Sequence, residues 1–395
     1  PPSPSSSSSF TRRVRPVGGR PPLQMPVDAS CDRMPRVGEV LTLKHATYVI
    51  NGLLGAGGYG AVFLVTKDDR RQYAMKVELT NCKKAVLKMD YNVLMATAGM
   101  KTKHFSQIID KGRVPDRFSY LTMRLLGSNL WDLRMTRPGR IFSMGTSLKA
   151  AEQCLVSIEN LHRAGYLHRD IKPGNFAVGR VEDGEQQIVH LLDFGLSRKF
   201  VHKEKDLRLP RELAPFRGTT RYAPLAAMKQ IEQSRKDDLE GWLYMIIEWT
   251  AGFLPWAEYR ALPFDRVLDM KIEARTNEES MYRLFRFCPR KQFIKIMQYL
   301  DSLEYVDIPD YKFVQFCIHS ALKAHHISDL DPLDWDATRP YTQSKEIIGD
   351  GTPPEFVNQT IIEFVGKNQT VCETVKSINT EKKTEIRGTV RSKKS

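Results

Sequence analysis

Residues 167–180 read LHRDIKPGNFAVGR and bring together an aspartate, a lysine and an asparagine: Asp170, Lys172 and Asn175. A proline and a glycine lie between them, and apolar segments flank the loop. Two interpretations are open. Asp, Asn, Pro and Gly all form turns, so the segment could be a crowded solvated turn. Alternatively, it is a loop built to handle a phosphate, and other segments of the chain decide between the two.

The composition indicates a folded protein with acidic partners. Of its 395 residues, 41% are hydrophobic and 27% charged, and the formal net charge is +14; this balance favours phosphates and acidic peptides. No nucleic-acid-binding module is visible. The most apolar stretch, residues 241–256, contains Glu248 and predicts a buried helix rather than a membrane span.

The cysteines and the N-terminal residues predict an intracellular location. Six cysteines are scattered without metal-ligand spacing, which is typical of reduced thiols. The N-terminal residues lack the apolar core of a secretory signal. We therefore expect a cytoplasmic protein, with the nucleus as a second location to test.

The chain divides into a folded middle and two polar ends. Residues 1–37 are rich in Pro, Ser, Gly and Arg and predict a disordered tail. From residue 38 to about 123, short β-branched and aromatic runs predict a small antiparallel sheet, interrupted by one helix over residues 82–98. Residues from about 129 to 336 are mostly helical in pattern. Residues 337–395 are polar and partly basic and predict a second disordered tail.

A glycine-rich segment precedes the loop in the chain. Residues 54–62, LGAGGYGAV, carry Gly55, Gly57, Gly60 and Val62 in a G-x-G-x-x-G-x-V pattern. Glycines let a backbone approach phosphates closely and offer N–H donors. A plain glycine-rich hairpin is the alternative. The dinucleotide-binding fingerprint opens a helix, whereas a strand-like run, AVFLVT, follows here; the pattern therefore favours a strand–loop–strand cover over a nucleotide.

Three further charged residues complete the pattern. Lys76 lies in YAMKVE, an alternating apolar strand. Its position shortly after the glycine-rich segment suits a cation that holds the α- and β-phosphates. Asp193 follows an apolar run in LLDFGLS, and its carboxylate suits Mg²⁺. Asp238 lies in RKDDLEGW, where we expect it both to cap a helix and to tie down the 167–180 loop. An exposed lysine at position 76 and a turn-forming aspartate at position 193 are the alternatives, but five pieces in one order leave little room for chance.

These motifs resemble a eukaryotic protein kinase, and more narrowly the casein kinase I superfamily and its tau-tubulin kinase-like branch. The resembling segments are LKMDYNVL, LLGSNLWDLR, LHRDIKPGNFAVGR, FRGTTRYA, DDLEGWLYMIIEW, LPW and DPLDWD, between Gly38 and Asp336. The resemblance implies an α+β fold with two lobes. The small β-rich N-lobe, with one main helix, spans residues 38–123, the hinge 124–128 and the larger helical C-lobe 129–336.

The resemblance also assigns roles to the site residues. Asp170 accepts or orients the substrate hydroxyl proton, and Lys172 steadies the γ-phosphate. Asn175 and Asp193 hold Mg²⁺, and His168 is a packed structural residue. Adenine is read by hinge backbone groups, so the Arg124 side chain is not needed there. The residues implied to bind ATP are Leu54, Gly55, Ala56, Gly57, Gly58, Tyr59, Gly60, Ala61, Val62, Lys76, Asp90, Leu126 and, at the gatekeeper position, Met123.

The sequence departs from the family at two positions. In the family, the helix after the lysine strand carries a glutamate that pairs with the lysine, whereas this chain has Asp90 there, which is one methylene shorter. Either the helix must lie closer to Lys76, or the distance between the two charged groups must increase. In RYAPLAAM, Ala226 stands where a Glu or Asn makes a polar tether. We therefore expect reduced local stability below the substrate groove.

The segment from Arg198 to Gly218 contains no Ser, Thr or Tyr. Kinases that are switched on in this segment need an acceptor there for a phosphate, which then pairs with arginines. The segment has seven basic and three acidic residues. We therefore expect a constitutively competent serine/threonine kinase that favours acidic or primed protein substrates, cytoskeletal ones among them. The alternative is a pseudokinase scaffold that binds acidic partners, and binding of an acidic polymer by the tails is compatible with either.

Overall fold

A computed structural model describes residues 33–336, apart from 59, 83–84, 202–206 and 258–261. The predicted tail 337–395 lies outside the described residues, as does all but 33–37 of the predicted tail 1–37. Among the described residues, no helix combines the length and apolar character that crossing a membrane requires.

A six-stranded antiparallel sheet forms the first part of the fold. Its spatial order is β1-β2-β3-β4-β6-β5. In the strands Gly60–Lys67 and Gln72–Leu79 every second side chain is buried, as alternating β-branched and aromatic residues predict. The predicted runs are the four long strands; β1 and β5, which flank them, are not apparent from the sequence. The strands are β1 Val40–Thr42, β2 Thr47–Gly57, β3 Gly60–Lys67, β4 Gln72–Leu79, β5 Ile108–Val114 and β6 Phe118–Arg124.

The helix predicted over residues 82–98 is observed as α1, Leu87–Ala98. Its start is set by a buried carboxylate from the sheet, because Glu78 on β4 accepts hydrogen bonds from the N–H groups of Val86 and Leu87 at 2.7 and 2.9 Å. The first N–H groups of a helix have no partner within the helix, and a carboxylate there also complements the helix dipole. Glu78 thereby fixes α1 against the sheet.

The second part of the fold is mostly helical. The connection 125–129 joins β6 to the first of its helices, and short strands pair beneath the sheet. The long helices match the apolar stripes that the sequence predicts over residues 147–165, 236–252, 264–275, 290–303 and 310–325. The sequence does not predict the three short helices. The elements are α2 Leu130–Met135, α3 Met144–Arg163, β7 Tyr166–Leu167, β8 Phe176–Val178, β9 Val189–Leu191, β10 Arg198–Lys199, α4 Leu225–Met228, α5 Arg235–Ala251, α6 Phe264–Thr276, α7 Glu278–Phe285, α8 Arg290–Ser302 and α9 Tyr311–Ala324.

Helix α5 is the centre of this part. Fifteen of its residues are buried, and Trp242 on it donates its indole N–H to the Ala151 carbonyl of α3 at 2.9 Å. At the start of the helix, Asp237 accepts the backbone N–H of Ser234 at 2.6 Å. The expectation that Asp238 caps it is therefore wrong, and Asp238 is left for another contact. The predicted two-lobe α+β fold is confirmed.

Candidate active site

A cleft of about 1160 Å³ lies between the sheet and the helical part. Every described residue that the sequence assigned to catalysis, ATP or Mg²⁺ lines this cleft. These residues come from the β2–β3 hairpin, from β4, α1 and β6, and from the loops around β8 and β9. The exception is Tyr59, which lies outside the described residues.

The glycine-rich segment forms the hairpin between β2 and β3, with Gly57 opposite Gly60. Gly60 has a φ of +144°, and a Cβ there would lie 2.1 Å from the carbonyl oxygen of Val77. Only glycine fits that position. A Cβ on Gly55, Gly57 or Gly58 would instead meet open space. The backbone on this side of the cleft is therefore open to a ligand.

Lys76 lies at the centre of a charge cluster in the cleft. Its Nζ contacts Asp90 Oδ2 at 2.7 Å and Asp193 Oδ1 at 2.9 Å. The second oxygen of Asp90 accepts the backbone N–H of Phe194 at 2.9 Å. The shorter aspartate therefore makes a direct contact, because α1 lies close enough to also reach the residue after Asp193. Of the two outcomes left open by the sequence, the structure shows the first: the helix lies close to Lys76, and the distance between the charged groups is not increased.

The electrostatics of this cluster keep its charges in place. Burial opposes ionisation of Lys76, but the carboxylates of Asp90 and Asp193 outweigh it and raise the lysine pKa. Burial raises the pKa of Asp90, and Lys76 counteracts that rise. Burial also opposes ionisation of Asp193, but the Lys76 charge lowers its pKa overall. Lys76 is thus a fixed cation, and Asp193, whose side chain is 55% exposed, is an anion facing the cleft.

The loop after β7 carries the second cluster. Asp170 Oδ2 accepts from Lys172 Nζ at 2.6 Å, and its Oδ1 accepts from the Thr219 hydroxyl at 2.9 Å. Asn175 donates its amide N–H to the Asp170 carbonyl at 2.9 Å. That bond fixes the asparagine and leaves the oxygen at the other end of its amide for a ligand. The loop holds a carboxylate, a cation and an amide oxygen beside the cleft.

A buried carboxylate holds this loop from below. Asp238 accepts the backbone N–H groups of His168 and Arg169 at 2.7 and 2.8 Å, and His162 Nε2 lies 2.8 Å from it. Burial opposes its ionisation, but the His162 contact and the other donors lower its pKa. The predicted tie between Asp238 and the loop is present. His168 is packed, with Nε2 3.0 Å from the Leu192 carbonyl oxygen and its ring against Phe194.

Buried side chains hold the segment 219–225, which follows Gly218, from several distant elements. Glu248 on α5 accepts from the guanidinium of Arg221 and the hydroxyl of Tyr222, both at 2.5 Å. Glu240 on α5 accepts the N–H of Leu225 at 3.0 Å. Lys271 on α6 donates to two of the segment's carbonyl oxygens. Ala226 contributes no such tether, but these contacts hold the segment in its place.

The sequence reasoning missed these residues, although one signal was available. Lys271 lies four positions after Val267 and three before Ala274, so it falls on the buried face of a helical stripe. A lysine on an apolar stripe requires a buried partner. No comparable signal marks Arg124: its guanidinium contacts Glu185 at 2.8 Å and Asp183 at 3.3 Å, an ion pair between the two lobes. The side chain set aside in the sequence analysis therefore joins the lobes.

An acidic side chain lies among the arginines near the loop. Glu232, only 4% exposed, contacts Arg211 through both its oxygens and lies 3.5 Å from Arg198. Burial opposes its ionisation, but these arginines lower its pKa. Burial, together with Arg217 and Arg198, lowers the pKa of Arg169 to about 10. Glu232 thus supplies a negative charge to a crowded cationic region.

Comparison with known proteins finds matches over the same residues. A family model described as "Protein kinase domain" matches residues 48–308. "Serine/threonine-protein kinase spe-6" of Caenorhabditis elegans is 35% identical over 322 residues, which cover 80% of this chain and 83% of that protein. A Dictyostelium discoideum protein named "Probable serine/threonine-protein kinase" is 35% identical over 284 residues, covering 72% of this chain and 55% of that protein. The residues that the family model matches include both walls of the cleft.

Proposed function

Because the chain belongs to the protein kinase family, we propose that it is a serine/threonine kinase that transfers the γ-phosphate of Mg·ATP to hydroxyl groups of protein substrates. The observation that carries the proposal is one cleft lined by Lys76, Asp170, Asn175 and Asp193 beneath an open glycine-rich hairpin. A pseudokinase scaffold would be expected to lack one of these groups. Nothing in the described cleft favours that alternative.

The residues divide the work of phosphoryl transfer. The hairpin N–H groups and Lys76 bind and orient the phosphates, and Asp90 holds Lys76 in position. Asp170 accepts the proton of the acceptor hydroxyl, whose oxygen forms a bond to the γ-phosphorus as the bond to the β–γ bridging oxygen breaks. Lys172 stabilises the charge on the phosphoryl group as it moves. Catalysis in such sites is mainly positioning and charge stabilisation.

The residues present suit a magnesium ion. Asp193 offers a carboxylate oxygen beyond the one that contacts Lys76, and Asn175 offers an amide oxygen. Mg²⁺ prefers hard oxygen ligands and takes few of them from protein, the rest coming from phosphates and water. When bound there, Mg²⁺ supplies neutralisation of the phosphate charge.

We place the chain in the casein kinase I superfamily, in its tau-tubulin kinase-like branch, on the strength of segments such as FRGTTRYA and DPLDWD. Its substrates are acidic or primed proteins, with cytoskeletal proteins as the first to test. The support is the basic composition of the segment from Arg198 to Gly218, whose residues 215–218 line the cleft. Charge-assisted contacts from arginines favour carboxylates and phosphates.

The same segment supports constitutive competence. It offers no hydroxyl acceptor for an activating phosphate. Glu232 lies where it can offset the charge of Arg198 and Arg211, the task that an added phosphate performs in kinases switched in this segment. A carboxylate built into the chain is present at all times.

Changing Asp170 tests the central claim. Asp170→Asn retains the shape of the side chain but cannot accept the proton, so the rate of peptide phosphorylation should fall by about 10²–10⁴-fold. The affinity for ATP should stay within about twofold of the parent, because the hairpin and Lys76 remain. Rates are measured with labelled ATP and a mixed Ser/Thr peptide array. Asp265→Asn, an exposed change on α6, is the matched control and should behave as the parent. Turnover of Asp170→Asn close to that of the parent would remove the assignment.

Substrate charge and the phosphorylation state of the enzyme are tested separately. Phosphatase-treated enzyme should keep its activity. Peptides with acidic or phosphorylated residues near the acceptor should outperform neutral ones, by a margin that shrinks at high salt. Loss of activity after phosphatase treatment would contradict constitutive competence, and equal rates for charged and neutral peptides would contradict the preference.

A further inference from the structure

Lys271 is a fully buried lysine whose hydrogen bonds go to backbone carbonyls of the substrate side of the cleft. Its side chain is 0% exposed. Its Nζ donates to the carbonyl oxygen of Thr220 at 2.9 Å and to that of Ala223 at 2.6 Å. The two carbonyls are three residues apart in the chain, so one side-chain nitrogen closes a turn of the segment 219–225 from beneath.

The surroundings of Lys271 are costly for a cation. Complete burial disfavours its charged form, although the rings of Tyr244 and Trp256, centred 4.9 and 5.1 Å from the nitrogen, attract a cation. Glu240 on α5 favours its charge, and Arg275 on its own helix opposes it. An apolar side chain of the same length would fill this space without the cost of burying a charge. What a lysine adds here is its contacts with the two carbonyl oxygens and with the faces of these rings.

The segment that Lys271 holds is fixed to the catalytic loop at its other end. The Thr219 hydroxyl donates to Asp170 Oδ1 at 2.9 Å and lies 3.2 Å from Lys172 Nζ. Trp256 adds an indole N–H to the carbonyl oxygen of Arg221 at 2.8 Å. The backbone between Thr219 and Ala223 is therefore held from below while its first residue contacts the proposed proton acceptor.

We propose that Lys271 is a positioning residue for the protein substrate: by holding the Thr220 and Ala223 carbonyls it sets the wall along which the acceptor peptide lies. This rests on the proposed kinase function, since it assumes that the hydroxyl to be phosphorylated approaches Asp170 beside Thr219. Lys271 is remote from the hairpin and Lys76, which bind the nucleotide. Its loss should therefore alter peptide binding and leave ATP binding intact.

The test compares Lys271→Met with Lys271→Arg in the full chain. Methionine fills the space but donates no hydrogen bond, so the KM for a Ser/Thr peptide should rise about tenfold, equivalent to about 1.4 kcal/mol. The KM for ATP and the rate of ATP hydrolysis without peptide should stay within about twofold of the parent values. Arginine retains donors and should recover part of the peptide KM. Peptide KM unchanged in Lys271→Met, or an equal loss in peptide and ATP parameters, would overturn the proposal.

Lys149 provides a matched control. It also donates to two backbone carbonyls, those of Asp329 and Asp331 at 3.1 and 2.7 Å, and none of these three residues lines the cleft. Lys149→Met should leave the peptide KM within about twofold of the parent. A peptide KM that rises equally in both variants would mean that any lost lysine tether has this effect, and would also overturn the proposal.

Hydrogen–deuterium exchange separates this proposal from the kinase function itself. Lys271→Met should speed amide exchange over residues 219–226 and leave residues 166–178 as in the parent. This measurement needs no turnover, so it tests whether Lys271 holds residues 219–226 even if the parent phosphorylates no peptide. Absence of peptide phosphorylation by the parent would count against the proposed function alone. Where Lys271→Met gives no cooperative melting transition, Lys271→Gln is measured by the same criteria. Unchanged exchange over residues 219–226 would overturn the proposal.

Discussion

The nucleotide side and the substrate side of the cleft depart from the family pattern in different ways. On the nucleotide side, Asp90 replaces a longer glutamate, and the loss is compensated locally: the carboxylate contacts Lys76 at 2.7 Å and Phe194 at 2.9 Å. On the substrate side, Ala226 removes a tether, and side chains from α5 and α6 hold the backbone instead. On the nucleotide side the ion pair to Lys76 is kept with a shorter acidic residue. On the substrate side the tether is lost, and contacts from other helices hold the backbone instead.

Among the changes that test this comparison, the largest effect is expected on the nucleotide side, at Asp90. Asp90→Ala leaves the buried Lys76 with one partner and frees the Phe194 N–H, so kcat/KM should fall about 100-fold, or about 2.7 kcal/mol. Asp90→Asn is the matched variant, because it keeps an acceptor for Phe194 and loses only the charge; its defect should be smaller. Steady-state kinetics measure both.

Asp90→Glu sharpens the comparison. Asp90 is 2% exposed and already in direct contact with Lys76, so an added methylene must be accommodated by moving α1. We expect a modest decrease in activity rather than the neutral or improved rate that a lengthened pair would give. An Asp90→Glu variant faster than the parent would show that the ion pair between Lys76 and Asp90 is weaker than a pair with glutamate.

A smaller effect is expected on the substrate side, at Glu232. Glu232→Gln removes the buried charge that Arg198 and Arg211 share, so repulsion should loosen the segment around residues 207–218. Peptide kcat/KM should fall about fivefold to tenfold, or about 1–1.4 kcal/mol, and limited trypsin digestion should cut the segment faster. Glu232→Asp retains the charge and serves as the control. Unaltered digestion of Glu232→Gln would show that other contacts order the segment.

The smallest effect is a dependence of stability on pH at Lys271. Burial lowers the pKa of Lys271 to about 7 from its ordinary value of 10.5, partly offset by Glu240 and reinforced by Arg275. Between these values the unfolded chain binds a proton that the folded chain releases, so the stability of the parent rises with pH relative to Lys271→Met. The gain should approach about 1.4 kcal/mol per pH unit at most.

Denaturant melts of both proteins between about pH 7.5 and 8.5 measure this gain, for which we expect about 1 kcal/mol. Tyr244 and Arg275 face Lys271, but their pKa values are raised well above the ordinary ones, so neither titrates in that window. A stability difference that is constant with pH would show that Lys271 keeps its proton throughout.

The sequence predicted the nucleotide side well because its signals are local. Strand alternation, helical stripes and short motifs placed Lys76, Asp170, Asn175 and Asp193 on elements that the structure brings together. The substrate side depends on contacts between residues 15 to 51 positions apart, such as those of Glu240 and Lys271. No spacing rule links such pairs, and the shortest elements, β1 and α4 among them, carry too few residues to show a period.

The ion pair between Arg124 and the acids Glu185 and Asp183 has a kinetic consequence. Arg124 ends β6 beside the connection between the lobes, and its partners lie in the large lobe, so the pair holds the lobes together at the hinge and restrains the rotation that opens the cleft when spent nucleotide departs. The side chains are about one-third exposed, so the contact is worth at most about 1 kcal/mol and weakens as salt is added. Raising the ionic strength should therefore speed the release of ADP while it weakens the capture of acidic peptides. Turnover at saturating peptide and efficiency at low peptide should respond to salt with opposite signs.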